Sequence, residues 1–80
     1  MANPSDTATL ATLRPGEAAE IVRVGGRGGE NVRLLELGLT PGVRVAVVKV
    51  APMGDPLEIS VRGYHLSLRR AEAARVEVRR

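Results

Sequence analysis

The stretch VRVAVVKV (Val43–Val50) decides the fold. Five of its eight residues are valine, and β-branched side chains suit the pleated, half-buried surface of a strand. Apolar residues alternate from Val43 to Val47, the period that buries one face of a strand. Then Val47 and Val48 stand side by side. An extra residue there predicts a β-bulge, which bends a strand and increases its twist. In so short a chain a bent central strand points to a small β-barrel, whose closure hides edges that would otherwise aggregate.

Downstream, the pattern stays β. PMGDP (Pro52–Pro56) reads as a loop. LEISVR places Leu57, Ile59 and Val61 on one face and Glu58, Ser60 and Arg62 on the other. Gly63 breaks the run, and YHLSLR alternates again, with Tyr64, Leu66 and Leu68 opposite His65, Ser67 and Arg69. RRAEAA allows one helical turn, and RVEVR closes the chain as a strand with Val76 and Val78 inward.

Upstream, TPG (Thr40–Gly42) and RPG (Arg14–Gly16) repeat one turn chemistry: proline presets φ, and glycine accepts the positive φ that a type II turn needs next. EAAEIVRV follows the earlier turn as a strand, and GGRGG (Gly25–Gly29) is a flexible break. Glu30–Leu37 carries helix formers, with Glu30 at the positive end of the helix dipole. Residues 1–9 are read as a flexible tail and 10–80 as one domain, anchored first by Leu10 and Leu13. The expectation is a mainly β barrel of about five strands, with one short helix after the first long strand and a possible helical turn before the last.

The helix is richer in leucine than its packing demands. On a wheel of about 100° per residue, Val32, Leu34, Leu35 and Leu37 cover roughly 220°, whereas a barrel face needs an apolar stripe of about 100°. Some of the excess has a structural use. With Gly38 as the left-handed residue after the helix, Leu34 and Leu39 become the pair that packs together in a Schellman cap. Leu35, with Val32 beside it, is expected to face the core. Leu37 is left without an assigned neighbour. The cap pair, Leu37 and the loop residue Met53 together make a candidate partner-binding patch of Leu34, Leu37, Leu39 and Met53. The competing reading is that the whole cluster is core.

Composition narrows the functions. The 22 Val, Leu and Ile residues must fill the core, since Tyr64 is the sole aromatic. No cysteine means no disulfide framework and no thiolate metal site, so a reducing, cytoplasmic setting is expected. No apolar run approaches the roughly 20 residues of a membrane span. Residues 62–80 hold six arginines against two glutamates, so the net +3 charge of the chain sits in its last quarter. Arg62, Arg69 and Arg70 form the candidate basic face, but a nucleic-acid groove normally adds stacking aromatics that are missing here.

Catalysis has no visible constellation, and no enzyme is expected. His65 is the only histidine and alternates with outward residues, without a fixed partner to make it a general base. Metal ligation is expected nowhere: one His and scattered carboxylates make no ligand set, and His65 meets Asp55 or Glu58 only by accident of folding. The glycine-rich GGRGGEN lacks the Gly-Lys-Ser/Thr ending of a phosphate loop.

Taken in order, LATLRPGEAAEI, RLLELGLTPGVRVAVV and APMGDPLEISVRGYHLSLRRAEAARVEV resemble the ferrous iron transport protein A family, FeoA, over Leu10 to Val78. The resemblance implies an SH3-like barrel in the bacterial cytoplasm. It further implies a non-enzymatic accessory, without cofactor or metal ligands, that docks on the cytoplasmic part of a membrane ferrous iron transporter carrying a GTP-binding domain and modulates its activity or assembly. The same module ends iron-dependent repressors, a role disfavoured because no helix-turn-helix precedes Leu10. The alternative is a small nucleic-acid-binding barrel that uses the C-terminal arginines.

Overall fold

Strand β3 (Arg44–Val50) bulges at the doubled valines: its pairing with β4 (Leu57–Val61) shifts register between Val47 and Lys49. The computed structural model describes residues 7–80. Around β3 stand β1 (Thr7–Thr9), a 3-10 turn (Leu10–Thr12), β2 (Ala18–Val24), helix α1 (Glu30–Glu36), β5 (Tyr64–Leu68), helix α2 (Arg70–Ala73) and β6 (Val76–Arg79). The strands form one antiparallel sheet in the order β1-β6-β2-β3-β4-β5. A second register shift, between Ile21 and Arg23, bends β2 where it meets β6.

The sheet therefore has six strands among the described residues, one more than expected. Thr7–Thr9 pairs with β6, Ala8 opposite Val78 and Thr9 opposite Glu77. The tail expected through residue 9 gives way to a strand there, because β6 offers a free edge that these residues complete. The rest of that expectation, residues 1–6, lies outside the described residues.

Both proline–glycine turns form as type II turns. Glu17 N–H donates to the Arg14 carbonyl and Val43 N–H to the Thr40 carbonyl, with φ of +91° at Gly16 and +92° at Gly42. The turns also pin β2 to β3, since Gly16 N–H donates to Val47 O and Gly42 N–H to Ile21 O. The core they close is wholly aliphatic, with Leu10, Ile21, Leu34, Leu39, Leu57, Ile59, Leu68 and Val76 among its members. No polar or charged side chain is buried among the described residues.

Candidate functional site

Helix α1 ends in a complete Schellman motif. Gly38 adopts φ +100°, its N–H donates to Leu35 O at 3.0 Å, and Leu39 N–H donates to Leu34 O at 3.1 Å. The cap is the expected one, but its exposure is not. Leu34 and Leu39 have no accessible surface and belong to the core, so neither can touch a partner. Leu37 is half-buried, its side chain packed against that core.

The wheel explains the correction. With Leu34 at the centre of the buried arc, Leu37 lies about 60° away and Leu35 about 100° away, so both reach the core margin. Val32 lies about 160° away, on the far side. Val32 is accordingly 48% exposed, contrary to the expectation that it faces inward beside Leu35.

The end of α1 is locked onto the tip of the β4–β5 hairpin. Val61 and Tyr64 face each other across a two-residue turn in which Arg62 (φ +50°) and Gly63 (φ +87°) both take left-handed backbone, the type I′ pattern that matches strand twist. The turn places the Tyr64 hydroxyl against Leu37 O, to which it donates a hydrogen bond. It also lays the Arg62 side chain over Gly38: a Cβ on Gly38 would stand 3.1 Å from Arg62 Cδ and 3.2 Å from the Tyr64 hydroxyl. Leu37, Tyr64 and Arg62 thus share one rim. Tyr64 was missing from the sequence-based patch, though its position as the only aromatic, just after an Arg-Gly turn, was a usable signal.

Met53 is 92% exposed, in a loop held by a different anchor. Arg70 Nε donates to Gly54 O at 2.6 Å and Arg70 Nη1 to Ala11 O at 2.7 Å, while the Arg70 main-chain N–H donates to Asp55 Oδ1 at 3.0 Å. Met53 and Leu37 are therefore held by different hydrogen-bonded elements.

Of the expected basic face, Arg70 commits its guanidinium to the carbonyls of Gly54 and Ala11, while Arg62 and Arg69 are both exposed. Glu72 links the two helices, accepting the Arg69 N–H at 3.0 Å through Oε1 and pairing with Arg33 through Oε2. On the opposite face of the hairpin His65 Nδ1 lies 3.4 Å from Glu58 Oε2, a meeting the sequence pattern did not foretell. Among the described residues no group of three or more His, Asp or Glu could hold a metal ion, and no helix is long and apolar enough to cross a membrane.

The FeoA domain family model matches residues 8–80. The chain belongs to the FeoA family. This FeoA chain is 45% identical over 69 residues to the Porphyromonas gingivalis Fe(2+) transport protein A/Fe(2+) transporter FeoB fusion protein, covering 86% of its own length and 8% of the relative's. The solution structure of FeoA from Chlorobium tepidum superposes with a TM-score of 0.82 at 36% identity, over 90% of this chain and 69% of that one. The crystal structure of Stenotrophomonas maltophilia FeoA complexed with zinc, described as a prokaryotic SH3 domain protein, gives 0.77 at 33% identity, over 89% and 88% of the two chains. The fold is thus the SH3-like one.

Proposed function

We propose that this FeoA chain is a non-enzymatic, cytoplasmic accessory of bacterial ferrous iron uptake. It docks on the cytoplasmic part of a FeoB-type transporter that carries a GTP-binding domain, and modulates its activity or assembly. The observation that carries the reading is the fusion: a 45% identical domain shares one polypeptide with a FeoB transporter. Tethering raises the effective concentration of two modules to about the millimolar range, so a surface that serves in a fusion can be modest.

That surface is the rim where Leu37, Tyr64 and Arg62 converge. It combines a half-buried leucine, a partly exposed tyrosine and an arginine, residue types suited to anchoring an interface. Leu34 and Leu39 support it from within, and Met53 is a separate exposed contact. The description of the Stenotrophomonas relative as a candidate activating factor for ferrous iron transport agrees with this role.

The test is co-purification with the cytoplasmic region of the transporter. The unchanged chain is retained, Arg62→Glu weakens retention, and Leu37→Asp abolishes it while the amide spectrum stays folded. If the unchanged chain is not retained at low or physiological salt, the docking reading falls. If it is retained and both variants bind equally, only the rim assignment falls.

A further inference from the structure

Among the described residues two arginines are half-buried, Arg70 and Arg75. The first finds its acceptors inside the fold. The second does not: the Arg75 guanidinium makes no hydrogen bond and no ion pair among the described residues. Its main chain is fixed, since the N–H donates to Glu72 O at 3.0 Å and the carbonyl accepts the Gly25 N–H at 2.8 Å. Arg75 borders an open cavity of about 450 Å³ between β1, the Gly25–Gly26 corner after β2 and the turn from α2 into β6. Small-molecule sites run from about 300 to 1,000 Å³.

Arg23 lines the same cavity. It pairs in register with Glu77 on β6, and its Nε donates to Glu77 Oε2 at 3.1 Å. That bond occupies one N–H of the guanidinium fork. Nη1 and Nη2 have no acceptor among the described residues, and they lie over Gly25, each 3.6 Å from where a Cβ would stand there. The ion pair thus orients the group and leaves its other donors unspent. Thr9, opposite Glu77 on β1, brings a hydroxyl to the same wall. Two arginines against one glutamate leave that wall net positive, and no aromatic residue lines it.

We propose that Arg23 and Arg75 form a binding site for a phosphate group. A guanidinium fork matches the paired oxygens of a phosphate, and two forks on one wall suit a multiply charged oxyanion. The ligand supplies the acceptor that Arg75 lacks, while Arg23 keeps Glu77 on Nε and turns Nη1 and Nη2 to the phosphate. Glu77 is the opposing charge: it holds Arg23 in place and repels the ligand, so binding is weak and sensitive to salt. A nucleobase finds no aromatic platform here, so the phosphate is the part recognised. The site does not rest on transporter docking. It lies before α1 in the chain, whereas the Leu37 rim lies after it.

The test is titration of the full chain with pyrophosphate and, separately, with ADP, at an ionic strength held constant with NaCl. Amide and arginine Nε resonances are followed. Saturable shifts centred on Arg23, Gly25 and Arg75 are expected. Arg75→Gln weakens binding by about tenfold, the worth of one charge-assisted hydrogen bond. Glu77→Gln tightens it, because glutamine keeps an acceptor for Arg23 and removes the repelling charge. Arg69→Gln loses the same charge outside the cavity and leaves binding unchanged, which separates a site from the general attraction of a basic chain. Equal affinity for the two ligands means that phosphates alone are read, and tighter binding of ADP means that the nucleoside adds a contact; either sustains the site. Each variant is checked for an unchanged amide spectrum. Should Arg75→Gln fail that check, the contrast between Glu77→Gln and Arg69→Gln decides the matter. No saturable shift with either ligand, or equal binding by the unchanged chain and folded Arg75→Gln, overturns the proposal and leaves Arg75 as a stem packed on the surface.

Discussion

The Tyr64 hydroxyl donates to the carbonyl oxygen of Leu37, joining the tip of a β-hairpin to the last turn of a helix 27 residues away in sequence. A seven-residue helix is far too short to persist alone, so its ends must be satisfied by the fold. Tyr64→Phe removes the donor and leaves the ring. It is expected to cost about 0.5–1.5 kcal/mol in urea unfolding. Gly38→Ala is expected to cost more, about 1–2 kcal/mol for the left-handed backbone alone. The added methyl must also displace Arg62 Cδ and the Tyr64 hydroxyl. If Gly38→Ala proves as stable as the parent, the cap is not holding the helix.

The leucine cluster divides by depth, and stability should follow that division. Leu34 is fully buried, so Leu34→Ala is expected to cost about 2–5 kcal/mol, a large part of the stability of a small domain. Val32→Ser, on the exposed side of the same helix, should stay within about 0.5 kcal/mol. Thermal unfolding of the two variants distinguishes them. Equal losses would mean that α1 is rotated from the orientation seen here.

Much of this was legible in the residues because it is local. The doubled valines mark the bulge, the proline–glycine pairs mark their turns, and Leu34-Gly38-Leu39 spells out a Schellman cap within six positions. A helical wheel gives angles between side chains but not the direction in which the barrel lies, so Val32, expected beside Leu35 at the core, is exposed instead. Arg70 looked like surface charge because its acceptors stand up to 59 positions away in sequence. Strand β1 was invisible for the same reason: Thr-Ala-Thr becomes a strand only once β6 stands beside it. His65 and Glu58 meet through a diagonal register that alternation alone does not specify.

Arg70 is a clamp within the fold. Its guanidinium bridges the carbonyls of Gly54 and Ala11, joining the Met53 loop to the 3-10 turn. Lysine carries the charge but not the planar fork that serves two acceptors at once. Arg70→Lys is therefore expected to lose about 1.5–3 kcal/mol, with faster amide exchange at Gly54 and Leu13 as the local signature. Arg69→Lys, at an exposed position, should change neither. Equal exchange in both variants would show that the clamp contributes nothing.

Glu72 does two jobs through two oxygens, and substitution can separate them. Oε1 accepts the Arg69 N–H at the start of α2, the half of a capping box supplied by a glutamate at the third helical position. Oε2 pairs with Arg33 on α1. Glutamine retains an acceptor for the amide and loses the charge, so Glu72→Gln should cost only the value of a partly exposed ion pair, about 0.5–1 kcal/mol. Glu72→Ala loses the cap as well, for about 1 kcal/mol more. A double-mutant cycle with Arg33→Ala isolates the pair. The coupling should shrink as salt is raised, because Arg33 is more than half exposed, while the capping contribution should persist. A salt-independent coupling would mean that Arg33 acts through packing of its stem, not through its charge.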